Sequence, residues 1–252
     1  MSFLVGADAY DRFMGRYSVP LAPLLADLGG VGAGQRVVDV GCGPGALTAE
    51  LAARVGPGRV AAVDPSPSFV AAAQARLPEV DIRLGTAEEL PFDDGAFDAA
   101  LAQLVVHFMR DPLAGLREMR RVTRPGGVVA ACVWDFDQGT GPLSTFWAAV
   151  HEIDPTVVGE AGLAGAREGH LGELMRAAGL REVEDGELSV ATGHPTFEDW
   201  WEPFTYGVGP AGAHVAGLDA DRRDQLRELC RALLPPAPFT VTARAWAVRG
   251  TA

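Results

Sequence analysis

The chain has no lysine and no asparagine, and its 21 basic residues are all arginine. Without lysine, a Schiff-base lysine, a phosphate-loop lysine and a kinase-type lysine are excluded as catalytic devices. Cysteine is scarce: Cys42, Cys132 and Cys230 lie far apart, with no Cys-x-x-Cys pair. Neither a disulfide framework nor a metal site is therefore expected. Long apolar runs are missing too. The longest, around Val128 to Trp134, has the length of a strand, against the roughly 20 residues that a membrane helix needs. The opening stretch, Met1 to Tyr17, lacks the basic start and apolar block of a secretory signal, so a soluble, cytoplasmic protein that engages no membrane is the expectation. Positive charge is in deficit. A net charge of −12 argues against nucleic acid or anionic lipid as the main partner, because both require phosphates to be neutralised by basic side chains.

The remainder describes a globular chain. At 252 residues and 48% apolar content, it sits at the upper end of what one core supports, so one domain with an elaborated flank is expected. Arg36 to Val40 is an apolar run that meets a glycine cluster. A helical pattern follows, with Leu47, Leu51 and Val55 on one face. Gly56-Pro57-Gly58 ends it, and Arg59 to Val63 reads as a second strand ending at Asp64. Ser66-Pro67 starts a helix that runs to about Leu77: Ser can cap the free amides and Pro is preset for the first helical position. Asp81 to Leu84 and Phe97 to Leu101 are further strands, separated by a polar loop from Gly85 to Gly95. Asp111-Pro112 opens a helix carrying Leu113, Leu116 and Met119, which Pro125-Gly126-Gly127 closes before a buried strand at Val128 to Trp134.

Strands alternating with helices of about 10 to 15 residues imply right-handed crossovers and a parallel sheet covered on both faces. Ligands in such sheets bind at the carboxyl ends of the strands, near the switch point. Beyond residue 134 the pattern gives helices at Pro142 to Val150, Glu168 to Ala178 and Asp219 to Leu234. It also gives strands at Arg181 to Ala191 and Thr240 to Arg249, which pair as an antiparallel edge. An aromatic-rich segment, His194 to Gly209, lies between them.

The strongest chemical signal is Val38-Asp39-Val40-Gly41-Cys42-Gly43-Pro44-Gly45. Glycines at 41, 43 and 45 let the turn adopt positive φ and let a ligand approach bare backbone beside a helix amino end. The spacing differs from the Gly-x-Gly-x-x-Gly of dinucleotide binders, since Ala46 stands where a third glycine would permit close helix packing. Asp64 follows Gly45 by 19 positions at the end of the second strand, where a carboxylate can accept from both hydroxyls of a ribose.

These segments together with Gly85-Thr86-Ala87-Glu88-Glu89-Leu90-Pro91-Phe92, Phe97-Asp98-Ala99-Ala100 and Arg121-Val122-Thr123-Arg124-Pro125-Gly126-Gly127 resemble the class I S-adenosylmethionine-dependent methyltransferases, in particular the quinone-biosynthesis group. The resemblance covers about residues 36 to 134 in order and spacing. It extends more weakly to Tyr10 to Ser18 and to Ala243 to Val248.

The resemblance implies a Rossmann-like, doubly wound α/β fold with a mostly parallel seven-stranded sheet and an antiparallel C-terminal edge. Residues 1–35 would form cap helices, 36–134 the cofactor core and 135–252 the substrate side, with 194–238 as an insertion. S-adenosylmethionine would be the cofactor and S-adenosylhomocysteine the product. Gly41, Gly43 and Gly45 would line its methionyl and ribose parts, with Asp39 and Cys42 on the same turn. Asp64 would bind the ribose, and Pro65 would lie against the adenine with Ser66 beside it. Thr86, Ala87 and Glu88 would meet the adenine ring, Thr86 replacing the Asp of many relatives. Gln103 falls where a backbone carbonyl usually meets the amino group. Arg16 is the candidate for the carboxylate, against the competing reading of an ion pair, and Tyr10 or Tyr17 would cover the methyl end.

Methyl transfer asks at most one base of the protein, because the sulfonium already activates the methyl group. His107 is the candidate, with an ordinary pKa of about 6.5; the competing reading is a histidine that only packs. His151 and His194 are weaker candidates. Trp134, Phe146, Trp147, Trp200, Trp201, Phe204 and Tyr206 form an apolar pocket or ordinary core. The function expected is methyl transfer to an apolar or aromatic small molecule. The alternatives are a nicotinamide-dependent oxidoreductase, which the glycine spacing disfavours, and a non-catalytic cofactor-binding protein. A base-methylating enzyme of nucleic acids is disfavoured because Ala102-Gln103-Leu104-Val105-Val106-His107 stands where its Pro-Pro-aromatic motif would fall.

Overall fold

A computed structural model describes residues 6–252, so the first five residues of the expected cap lie outside the described residues. The chain opens with α1 (Ala7–Tyr10), a π-helical turn at Asp11–Gly15 and α2 (Arg16–Leu28), which buries Leu21 and Leu25 one turn apart. Then come β1 (Val37–Val40), α3 (Ala46–Val55), β2 (Val60–Asp64), α4 (Pro67–Arg76), β3 (Asp81–Leu84), β4 (Phe97–Gln103) and α5 (Pro112–Val122). The second half holds β5 (Thr123–Trp134), α6 (Ser144–Ile153), α7 (His170–Ala177), β6 (Arg181–His194), α8 (Phe197–Trp201), α9 (Gly209–Ala216), α10 (Ala220–Leu233) and β7 (Phe239–Thr251). Asp111 caps α5, its carboxylate accepting from Ala114 N at 3.0 Å, and Asp219 caps α10 by accepting from Arg222 N at 2.9 Å. Ser66 stands at the N-cap of α4, but its hydroxyl lies 2.9 Å from that of Ser68 instead of on a free amide.

One seven-stranded sheet runs in the order β3-β2-β1-β4-β5-β7-β6. The first five strands are parallel; β7 pairs antiparallel with both β5 and β6. The chain winds outward from β1 to β3, then returns to lay β4 against the other side of β1, so the switch point lies between β1 and β4. Side chains of the central strands alternate between two cores. Val37, Ala62, Leu101 and Ala130 face the side covered by α2 and α3, whereas Val38, Ala61, Ala100 and Ala131 face the side covered by α5 and α7. Continuous burial explains why these strands read as apolar runs without alternation.

Two boundaries depart from the sequence reading for a physical reason. Pro125-Gly126-Gly127 is an irregularity inside β5, not a break before it: Phe97 pairs with Thr123, but Ala99 already pairs with Val128. Gly126 absorbs the extra residues at φ +78°. The aromatic-rich segment is helical, forming α8, a 3-10 stretch at Glu202–Tyr206, and α9. Its short turns carry no extended period for sequence reading to detect. Among the described residues no helix is long and apolar enough to cross a membrane.

Candidate active site

At the carboxyl end of β1 the chain turns with Gly41 at φ +78°, Gly43 at +53° and Gly45 at +99°. A Cβ on Gly41 would come within 2.5 Å of the Val105 methyls, so the turn and the residue after β4 pack together only because position 41 is bare. The amides of Gly41 and Cys42 donate to the Val63 carbonyl at 2.7 and 3.0 Å, pinning the turn to β2. Asp64 ends β2 and is buried. Its two oxygens accept one amide each, from Gly43 and from Ser66, both at 2.8 Å. Burial pushes its carboxyl above the usual range, and the two amides offset only part of that rise.

This turn opens on a cavity of about 290 Å³ lined by Tyr10, Gly41, Gly43, Asp64, Pro65, Ser66, Thr86, Ala87, Glu88 and Gln103. Ten of the sequence-derived cofactor residues thus meet in one place. Tyr10 packs edge-on against Phe69, with 5.3 Å between ring centres. On the cavity wall, Glu88 Oε1 accepts from the amides of Arg110 and Asp111 at 2.7 and 3.3 Å, so it braces the loop after β4. Gln103 donates to the Ser18 carbonyl at 2.9 Å, while its own Oε1 is buried without a partner.

Four expected residues do not line the cavity. Asp39 lies behind the turn, accepting from Thr48 Oγ1 at 2.6 Å. Its other oxygen is buried and unpaired, and burial pushes its carboxyl up to about 7. Cys42 is turned into the core, and Gly45 is the N-cap of α3. Arg16 is the clearest departure. It pairs with Asp199 at 2.8 Å and lies 3.0 Å from His194 Nδ1, so the competing ion-pair reading describes its place. Tyr17 Oη lies 3.1 Å from His194 Nε2 and completes the cluster.

A second chamber, of about 40 Å³, shares Tyr10, Leu104 and Phe108 with the cavity. His107, Trp134, Phe136 and Glu160 line it, and residues 208–211 close it. Leu104 holds φ +62°, a left-handed conformation that a leucine adopts only under strain, at the junction of the two spaces. His107 is buried, and its Nδ1 has no partner. Burial lowers its pKa to about 3, which corrects the expectation of titration near 6.5: the imidazole is neutral and weakly basic.

The remaining candidate aromatics split up. Trp147 reaches the chamber's wall through a 2.8 Å bond from Nε1 to Glu160 Oε2. Trp200 and Phe204 line a separate small pocket beside Arg16. Trp201 is buried in the core, its ring 6.3 Å from that of Phe197, and Phe146 stacks on Phe204 at 4.6 Å. His151 points to the Val157 carbonyl at 3.1 Å. Sequence reading missed Phe69, Leu104, Phe108, Arg110 and Glu160. Phe69 stands three residues after Ser66 on the first turn of α4 and so shows a usable signal, whereas Glu160 shows none. Among the described residues no group of three or more His, Cys, Asp or Glu is placed to hold a metal ion.

The glycine cradle, the carboxylate of Asp64 facing the cavity and the unpaired Gln103 Oε1 suit a ligand with a diol and hydrogen-bond donors, as S-adenosylmethionine has. The family described as "methyltransferase domain" matches residues 38–131. An uncharacterised methyltransferase of Mycobacterium tuberculosis is 41% identical over 135 residues, which cover 54% of this chain and 52% of that one. Another protein of that organism, named only as uncharacterised, is 30% identical over 224 residues, covering 83% of this chain and 79% of its own. The phosphoethanolamine N-methyltransferase 2 of Haemonchus contortus, solved with phosphomonomethylethanolamine and S-adenosylhomocysteine, shares the fold. Its TM-score is 0.59 at 18% identity, over 100% of this chain and 60% of that one. The chain spans about half the length of the mycobacterial methyltransferase that it matches. Over residues 38–131 the chain carries this methyltransferase domain, set in the seven-stranded fold of the class I methyltransferases.

Proposed function

We propose that the protein transfers a methyl group from S-adenosylmethionine to an apolar or aromatic small molecule. The observation that carries this reading is the apolar chamber that meets the cofactor cavity at Tyr10, Leu104 and Phe108. The cofactor, when bound, supplies an already activated methyl group, so alignment and exclusion of water are what remain for the chain. Gly41 and Gly43 give the bare backbone and Asp64 the acceptor for the ribose hydroxyls. Thr86 and Ala87 offer the adenine wall, and Gln103 an acceptor for the amino group. Tyr10, Leu104 and Phe108 separate the two spaces and orient what enters each. Residues 135–252 build the acceptor side around the 36–134 core.

The resemblance to quinone-biosynthesis enzymes supports an aromatic acceptor, and the acidic charge supports a metabolite in the cytoplasm over nucleic acid or lipid. The test is a calorimetric titration with S-adenosylmethionine, S-adenosylhomocysteine and NADH, followed by mass-spectrometric detection of methylated products from a panel of aromatic acceptors. Binding of the sulfur nucleosides and a methylated product are expected; binding of NADH alone would overturn the reading.

A further inference from the structure

The loop after α6 carries Glu160, which is 3% exposed and lies on the wall of the second chamber. The loop is shaped to place it. A Cβ on Gly159 would lie 3.3 Å from the Trp147 ring, so the bare backbone lies flat on the indole and carries the next side chain to its N–H. That bond, 2.8 Å long, holds one carboxyl oxygen. Among the described residues no arginine pairs with Glu160, and burial dominates its titration, pushing the carboxyl up to about 7. The titratable groups around it are Tyr10 and His107 in the chamber, His151 and His214 with ring centres 6.3 and 6.1 Å from that of Trp147, and Asp154 beyond His214. A buried carboxyl without a cation is destabilising. Here it lines a mostly apolar chamber against the cofactor cavity, together with His107, whose Nδ1 is itself unpaired.

We propose that Glu160 is the proton acceptor of the acceptor site, and that the molecule methylated is neutral, with an O–H or N–H carried on an apolar body. This rests on the methyl-transfer reading given above. A protic acceptor gains the methyl group and gives up one proton. The lone pair of its oxygen or nitrogen makes the new bond to carbon, the pair of the broken sulfur–carbon bond stays on sulfur, and the released proton passes to the Glu160 carboxylate. Trp147 donates to that carboxylate before the transfer and fixes its direction. His107, neutral and weakly basic, shapes the chamber without competing for the proton. Space for about three waters admits the slim protic end of such a molecule, while residues 208–211 border its body.

Two matched pairs of probes test this on the full chain loaded with S-adenosylhomocysteine: phenol against fluorobenzene, and 1-butanol against 1-fluorobutane. Each pair is close in shape, but only one member carries a donatable proton. Ligand-observed NMR is expected to give the hydroxyl member of at least one pair a roughly tenfold advantage, as suits a hydrogen bond to a charged group. Glu160→Gln should erase it with S-adenosylhomocysteine affinity unchanged. A preference that survives Glu160→Gln, or no preference in either pair with the unaltered chain, overturns the proposal. Tryptophan fluorescence is a second readout. The unaltered chain should show a transition near pH 7 that is lost in both Glu160→Gln and Trp147→Phe, so a folding failure of one variant leaves the other to decide. A transition that persists in whichever variant folds overturns the proposal. If S-adenosylhomocysteine itself fails to bind, the methyl-transfer reading falls, and the same probe pairs on the unloaded chain still report on Glu160 separately.

Discussion

The cofactor cavity and the second chamber share three residues, yet they are built in different ways. The cavity is made from the ends of neighbouring parallel strands, where Gly41, Gly43 and Asp64 act through main chain and short spacing, and the carboxylate is fixed by two amides at 2.8 Å. The chamber is made by side chains arriving from six separate segments, represented by Tyr10, His107, Trp134, Leu143, Glu160 and residues 208–211. A ligand held through backbone geometry demands one local pattern. A ligand held through convergent side chains leaves none. The first half of the site therefore follows from a local sequence pattern, and the second depends on side chains brought together only by the fold.

Asp64→Ala separates the halves most strongly. Two hydrogen bonds from a diol to a charged acceptor, at about 1.5 kcal/mol each, correspond to a loss of roughly a hundredfold in S-adenosylhomocysteine affinity. Calorimetry should show that loss, while the alcohol preference of the chamber stays intact. A fall of less than about threefold would mean that Asp64 serves the turn alone, through Gly43 and Ser66.

That asymmetry also explains what the sequence disclosed. The sheet, its crossovers and ten cavity residues were legible because buried parallel strands are apolar runs and the glycine turn has fixed spacing. Arg16 was misplaced because charge alone does not tell a cofactor carboxylate from Asp199, which lies 183 positions away. Glu160 left no trace, since a lone glutamate in a loop reads as a solvated acid until folding buries it. Trp200 and Trp201 read as walls of the acceptor pocket, but Trp200 lines a separate small pocket and Trp201 packs into the core, because nothing in an adjacent aromatic pair encodes which way it turns.

The next effect in size is a pH dependence confined to the chamber. Burial raises the folded pKa of Glu160 from 4.5 to about 7, so the folded state holds its proton more tightly than the unfolded chain does. Its contribution to stability is full below about pH 4.5 and is lost as pH rises through about 7. Glu160→Gln lacks this term. The stability difference between the unaltered chain and Glu160→Gln should therefore shift by on the order of 2 kcal/mol against the unaltered chain between pH 5 and pH 8, measured by urea unfolding. A constant difference would mean that Glu160 is solvated. His107 has the opposite sign: with a folded pKa lowered to about 3, its contribution is present above about 6.5 and lost as pH falls toward 3.

His107→Ala then tests whether the histidine shapes the chamber or takes a proton. A general base contributes roughly 10² to 10⁴ in rate. A neutral imidazole that only fills space should cost less than about tenfold in turnover, with cofactor affinity unchanged and no limb near pH 6.5 in the rate profile. A loss of a hundredfold would move the proton from Glu160 to His107.

The smallest effect lies where the two halves are tied together. Arg16 on α2 and Asp199 on α8 join at 2.8 Å, with His194 Nδ1 at the end of β6 lying 3.0 Å from each and its Nε2 3.1 Å from Tyr17 Oη. The cluster ties α8 to α2 without lining either the cofactor cavity or the chamber. Arg16 and Asp199 are 23% and 36% exposed, so solvent screens them, and a double-mutant cycle of Arg16→Ala and Asp199→Ala should give a coupling of about 0.5 to 1 kcal/mol. If Arg16 instead held the cofactor carboxylate, Arg16→Ala would weaken S-adenosylhomocysteine at least tenfold and Asp199→Ala would not. As such a tie, both single variants should leave that affinity within about twofold and instead speed proteolysis of residues 197–216 to a similar degree, since either change frees the same end of the insertion.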